Sequence, residues 1–170
     1  MATIRVASQK DLRALSERLL ALIEDKNGQA YRESVSKFGI PDEYVKRVFS
    51  EATLLEAAKS GNAKFYLALE GETVIGFAQV IGQQEHTVEL DRLMVFPEYA
   101  QKGVGTQLLH EALEDQRSEG TKSIIVNAGK HEEHARRFYE KNGFRAINET
   151  TIDAPWGQKL KLVTYRLSLE

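Results

Sequence analysis

The sequence has no cysteine among its 170 residues, three prolines and a single tryptophan. Without cysteine there is no disulfide, no thiolate metal site and no nucleophilic-cysteine chemistry. Four histidines remain, and none shows the paired spacing of a zinc-binding helix, so no metal is expected. No apolar run approaches the roughly 20 residues that span a bilayer. The opening Met1-Ala2-Thr3-Ile4-Arg5 lacks the apolar core of a signal peptide. Charge of one sign is scarce too: 23 basic residues face 25 acidic ones, a net charge of −2. A nucleic-acid surface carries a basic excess or stripe. The expectation is therefore a soluble cytoplasmic protein with no nucleic-acid or membrane partner.

What is present suits a globular fold. Hydrophobic residues make up 42% and charged residues 28%, and this length buries a sizeable core. No repeat, low-complexity tract or linker interrupts the chain, so one domain over residues 1–170 is expected. Residues 2–7 alternate as a strand. Ser8 then starts a helix, with Asp11 forming a variant capping box, and Leu12, Leu15, Leu19, Leu22 and Ile23 recur at helical spacing. Residues 27–39 are polar and ambiguous. A second helical region follows Pro41 and ends near Gly61.

From there the period drops to two. Lys64–Leu69 and Thr73–Val80 read as a hairpin about Glu70-Gly71-Glu72, and Thr87–Phe96 as another strand. Gly103–Glu119 is an amphipathic helix, Lys122–Asn127 a strand and Glu132–Asn142 a helix closed by Gly143. Phe144–Ile152 and Leu160–Leu167 are strands around Pro155-Trp156-Gly157. The order β-α-α-β-β-β-α-β-α-β-β predicts an α+β fold. Its mixed, mostly antiparallel sheet of about seven strands has helices on both faces.

The segment Glu89–Leu109 joins a strand to a helix through a glycine-bearing turn. Gly103 and Gly105 let the backbone approach a ligand, and the free N–H groups of a first helical turn favour an anion such as a diphosphate. Lys102 and Thr106 add a cation and a hydroxyl. The spacing is neither G-x-x-x-x-G-K-[ST] nor a full G-x-G-x-x-G, which weakens a nucleoside-triphosphate or nicotinamide reading. On the two glycines alone, a turn that merely starts a helix serves equally well.

Two blocks carry a resemblance. Gly103 and Gly105 stand in an R/Q-x-x-G-x-G/A pattern eight residues after Val95, with Pro97-Glu98-Tyr99 filling the loop. Ala135-Arg136-Arg137-Phe138-Tyr139-Glu140-Lys141-Asn142-Gly143-Phe144 follows A-x-x-F-Y-x-K-x-G-F. In these blocks and in element order the chain resembles the GCN5-related N-acetyltransferase (GNAT) superfamily. Ala100 replaces the R/Q residue, Gln101 stands where glycine is common, and Glu132 replaces a frequent asparagine.

The resemblance implies transfer of an acetyl group from acetyl-CoA to a primary amine by direct attack. It implies CoA contacts at Leu93, Met94, Val95, Gln101, Lys102, Gly103, Val104, Gly105 and Thr106. Leu93 and Val95 lie on the strand edge that pairs with pantetheine, and Asn127 contacts the pantetheine or the amine. Tyr139 is the implied general acid, with packing beside Phe138 as its alternative. Glu89, six residues before Val95, is the implied base. Asp91 shares its strand face, and both acids could instead neutralise nearby basic groups. Tyr31 and Trp156 are candidates to line the acceptor site. The start of the segment is also similar to polyamine-acetylating members, which favours a small cationic amine. A protein lysine or N-terminal amine is the alternative acceptor, and a non-catalytic CoA-binding module the alternative role. The resemblance also leaves room for a homodimer.

Overall fold

The computed structural model describes residues 2–170. Seven strands hydrogen-bond in the order β1-β2-β3-β4-β5-β7-β6. They are β1 (Thr3–Val6), β2 (Ala63–Glu70), β3 (Thr73–Gln84), β4 (Thr87–Val95), β5 (Ser123–Gly129), β6 (Arg145–Asp153) and β7 (Lys159–Ser168). The helices are α1 (Gln9–Glu24), α2 (Gln29–Ser34), α3 (Asp42–Val48), α4 (Glu51–Lys59), α5 (Val104–Ser118) and α6 (Glu133–Lys141). None of the described helices is long and apolar enough to cross a membrane. The chain divides into two compact units, which interleave in sequence.

The first unit takes the residues through Gln79 together with Arg92–Ala112. Ser8 caps α1 in a full capping box: its hydroxyl accepts the Asp11 N–H and the Asp11 carboxylate accepts the Ser8 N–H. Leu12, Leu15, Leu19 and Ile23 form one buried stripe on α1 and join Val45, Phe49, Leu54, Phe65, Leu67, Leu69 and Phe77 in the core. Phe65, Leu67 and Leu69 alternate along β2, so one strand face meets these helices. Gly76 of β3 points the other way, where a β-carbon would lie 3.3 Å from Leu108 of α5. Helices thus cover both faces.

The polar stretch 27–39 holds α2 and a 3₁₀ turn over Ser36–Phe38, while the region after Pro41 is two helices rather than one. The break falls at Ser50, whose hydroxyl accepts the Thr53 N–H and starts a new helix.

The second unit takes Val80–Asp91 and Leu113–Glu170. β4 and β5 are parallel from Thr87↔Ser123 to Glu89↔Ile125. β7 runs antiparallel between β5 and β6, with Asn127 directly opposite Thr164. α6 is tied to β7 through Tyr165, which donates to Glu140 Oε2 at 2.7 Å and accepts from Arg136 Nε at 2.9 Å. β3 and β5 run past their expected ends at Val80 and Asn127, to Gln84 and Gly129.

Candidate active site

β4 carries candidate residues of both units along one strand. In the first unit, its C-terminal end is held close to β3. A β-carbon on Gly76 would meet the Met94 carbonyl oxygen at 2.7 Å and Val95 Cα at 3.2 Å, so only glycine allows this approach. The Met94 side chain packs against the core, which leaves a ligand no more than its backbone, whereas Leu93 and Val95 are half-buried.

After β4, the Phe96 N–H donates to the Ile75 carbonyl at 2.9 Å and Pro97–Tyr99 forms a 3₁₀ turn. Gln101 (φ 61°) and Gly103 (φ 83°) are both left-handed. A left-handed glutamine is strained, which explains why glycine suits that position. Apart from its chain neighbours, no atom of the described residues lies within 4 Å of where a Gly103 β-carbon would stand. The Gln107 N–H donates to the Gly103 carbonyl at 3.1 Å. The N–H groups of Val104, Gly105 and Thr106 therefore lie in the first turn, with no partner inside the helix. An open glycine, outward N–H groups and a helix dipole fit a diphosphate. Lys102, exposed, sits 5.9 Å above the Tyr99 ring. The Val104 side chain is buried, so its N–H is the part left to a ligand.

In the second unit, Glu89 is half-buried and gripped at both carboxylate oxygens. Gln83 Nε2 donates to Oε1, and Asn127 Nδ2 donates to Oε2 at 3.4 Å. Thr164 Oγ1 donates to Asn127 Oδ1 at 2.5 Å. Burial, and then the charge of Asp91, push the Glu89 carboxyl above the usual carboxylate range, against the lowering effect of the two amides. Asp91 is exposed. Asn127 has both ends of its amide engaged but keeps one N–H for a ligand.

Of the two adjacent aromatics, the Tyr139 ring, 9% exposed, is buried, while Phe138 is only half-buried. It packs edge-on to Phe138 and Phe144 and tilted on Tyr165. Burial pushes its hydroxyl up to about 12, so it stays protonated through the neutral range. Tyr31, a candidate for the acceptor site, donates to Asp42 Oδ1 at 2.7 Å beside the Lys26–Asp42 ion pair. Trp156 is half-buried in the β6–β7 turn. Among the described residues no group of three His, Cys, Asp or Glu could hold a metal ion. Gln83 and Thr164 were not anticipated. Gln83 lies in a polar stretch that reads as turn, and Thr164 gives no local signal.

The acetyltransferase (GNAT) family model matches residues 28–144, spanning both motif blocks. The chain belongs to that family. As a GNAT member it is an acetyl-CoA-dependent N-acetyltransferase acting on amine acceptors. It is similar to an uncharacterised N-acetyltransferase of Mycobacterium bovis, 27% identical over 107 residues, which cover 63% of this chain and 68% of that one. Its fold is that of PaiA N-acetyltransferase from Thermoplasma acidophilum, solved with coenzyme A. That match has a TM-score of 0.67 at 24% identity and covers 96% of this chain and 98% of the other. It is also that of YncA of Salmonella typhimurium, solved with acetyl-CoA, at a TM-score of 0.73 and 19% identity over 99% and 94% of the two chains.

Proposed function

We propose that this GNAT enzyme acetylates a small cationic primary amine, such as a polyamine, with Glu89 as the base and Tyr139 as the acid. The observation that carries the reading is the Glu89 carboxylate, half-buried, held by two neutral amides and raised above its usual range. An amine of pKa about 10.4 is protonated at neutral pH and must lose a proton before it attacks. A raised carboxylate is better matched to that task than an ordinary one, directly or through a water. Asp91, two residues along β4, adds a second negative charge that favours a cationic acceptor.

Bound acetyl-CoA supplies the acetyl thioester. The first-turn N–H groups of α5, with Gly103 and Gly105, hold its diphosphate, assisted by Gln101, Lys102 and Thr106. The backbones of Leu93, Met94 and Val95 pair with the pantetheine arm and orient the thioester carbonyl. PaiA and YncA, of the same fold, were solved with coenzyme A and acetyl-CoA respectively, which supports a coenzyme A thioester as the ligand. Tyr139, held protonated through the neutral range by its burial, donates its proton to the departing sulfur. β6, exposed along its whole length at the end of the sheet order with Ile147 and Ile152 on its surface, supports a homodimer through that edge.

The test is turnover. With acetyl-CoA and a panel of polyamines, amino sugars, amino acids and lysine peptides, free thiol is released fastest with the polyamines. Equal or greater release with lysine peptides overturns the small-amine assignment.

A further inference from the structure

We propose that Thr164 is a positioning residue for the Glu89 base, acting through Asn127. The proposal rests on the assignment of Glu89 as base. An ionised carboxylate only accepts hydrogen bonds, so Asn127 must show Glu89 its NH₂ end. Its carbonyl oxygen then faces Thr164, and the hydroxyl must donate, as the 2.5 Å contact has it. The direction of the whole chain, Thr164 to Asn127 to Glu89, is thereby fixed. Asn127 and Thr164 are direct cross-strand partners of β5 and β7, so the hydroxyl sits on the rigid part of the sheet rather than on a loop. Glu89 pairs with Ile125, two residues before Asn127 on β5, which brings the amide alongside its carboxylate. The charge acting on Glu89 is that of Asp91 on its own strand; β3 presents neutral Gln83 and β5 neutral Asn127.

Without the Thr164 hydroxyl, the Asn127 amide loses the partner that selects its orientation. It can then turn its oxygen toward Glu89, which replaces an attraction by a repulsion and favours the protonated carboxyl. The base would be ionised only at higher pH and would be less well aimed.

The experiment compares wild type, Thr164→Val, Thr164→Ala and Thr164→Ser. Two readouts are used: carbon-13 NMR titration of the Glu89 carboxyl, which needs no turnover, and the pH profile of kcat/KM with acetyl-CoA and spermidine. In Thr164→Val the Glu89 midpoint moves to higher pH, kcat/KM at pH 6 falls about tenfold, and the acidic limb moves with the midpoint. Thr164→Ser restores both to near wild type. Thr164→Ala keeps the test open if the valine variant does not fold. An unmoved midpoint in Val and Ala variants that fold, or a serine variant no better than valine, overturns the proposal. A midpoint that moves while the kcat/KM profile does not follow upholds the Thr164 relay and refutes Glu89 as the base.

Discussion

Gly76 lies so close beneath Met94 that a β-carbon there would stand 2.7 Å from the Met94 carbonyl oxygen. The two nearest atoms are backbone of β4, the Met94 oxygen and Val95 Cα, so Gly76→Ala must push β4 from β3. A cost of about 1–3 kcal/mol follows, measured by urea unfolding. Because Leu93 and Val95 flank the displaced carbonyl, acetyl-CoA binding by titration calorimetry weakens as well.

The two left-handed residues of the loop respond in opposite directions. Gln101→Gly relieves a strained φ of 61°, raising stability by about 1 kcal/mol in urea unfolding. Gly103→Ala introduces strain at φ 83° and fills the open space before the first turn of α5. Its acetyl-CoA affinity falls about tenfold, equivalent to about 1.4 kcal/mol.

Tyr139→Phe removes the proposed acid and keeps the packed ring. Thiol release drops on the order of 100-fold, while the fold is retained at neutral pH. The same substitution has a stability signature. The folded-state pKa of Tyr139 is raised, to about 12 from 10.0. Its contribution is therefore fully present below pH 10 and lost as pH rises through 12. Wild type loses more stability than Tyr139→Phe across that alkaline window, as urea midpoints read at stepped pH will record.

Glu89 and Asp91 are separated by pH profiles. Glu89→Gln lowers kcat/KM about 100-fold or more and removes the acidic limb. Asp91→Asn keeps that limb but moves it to lower pH, because the Asp91 charge is one of the causes that raise Glu89. An acidic limb that survives in Glu89→Gln and vanishes in Asp91→Asn assigns the base to Asp91.

The polar stretch 27–39 was the least legible part of the fold. A helix as short as α2 has little periodicity, and its existence depends on what it packs against. Within the site, Tyr139 illustrates the same limit. A motif names adjacent aromatics, but the rotation of α6 about its axis selects the one that is buried. That rotation is fixed by contacts with Phe144 and Tyr165.

The sequence by itself determined the family and the glycine turn proposed to hold the diphosphate. Gly103, Gly105 and the helix that follows are contiguous, and their chemistry comes from local backbone geometry. Tertiary structure alone decided what surrounds Glu89. Asn127 and Thr164 are separated by 37 positions, and Asn127 and Glu89 by 38. They meet only because β5 lies between β4 and β7. A side chain's partners across a sheet depend on strand order and register, and neither is written in the local pattern of any one strand.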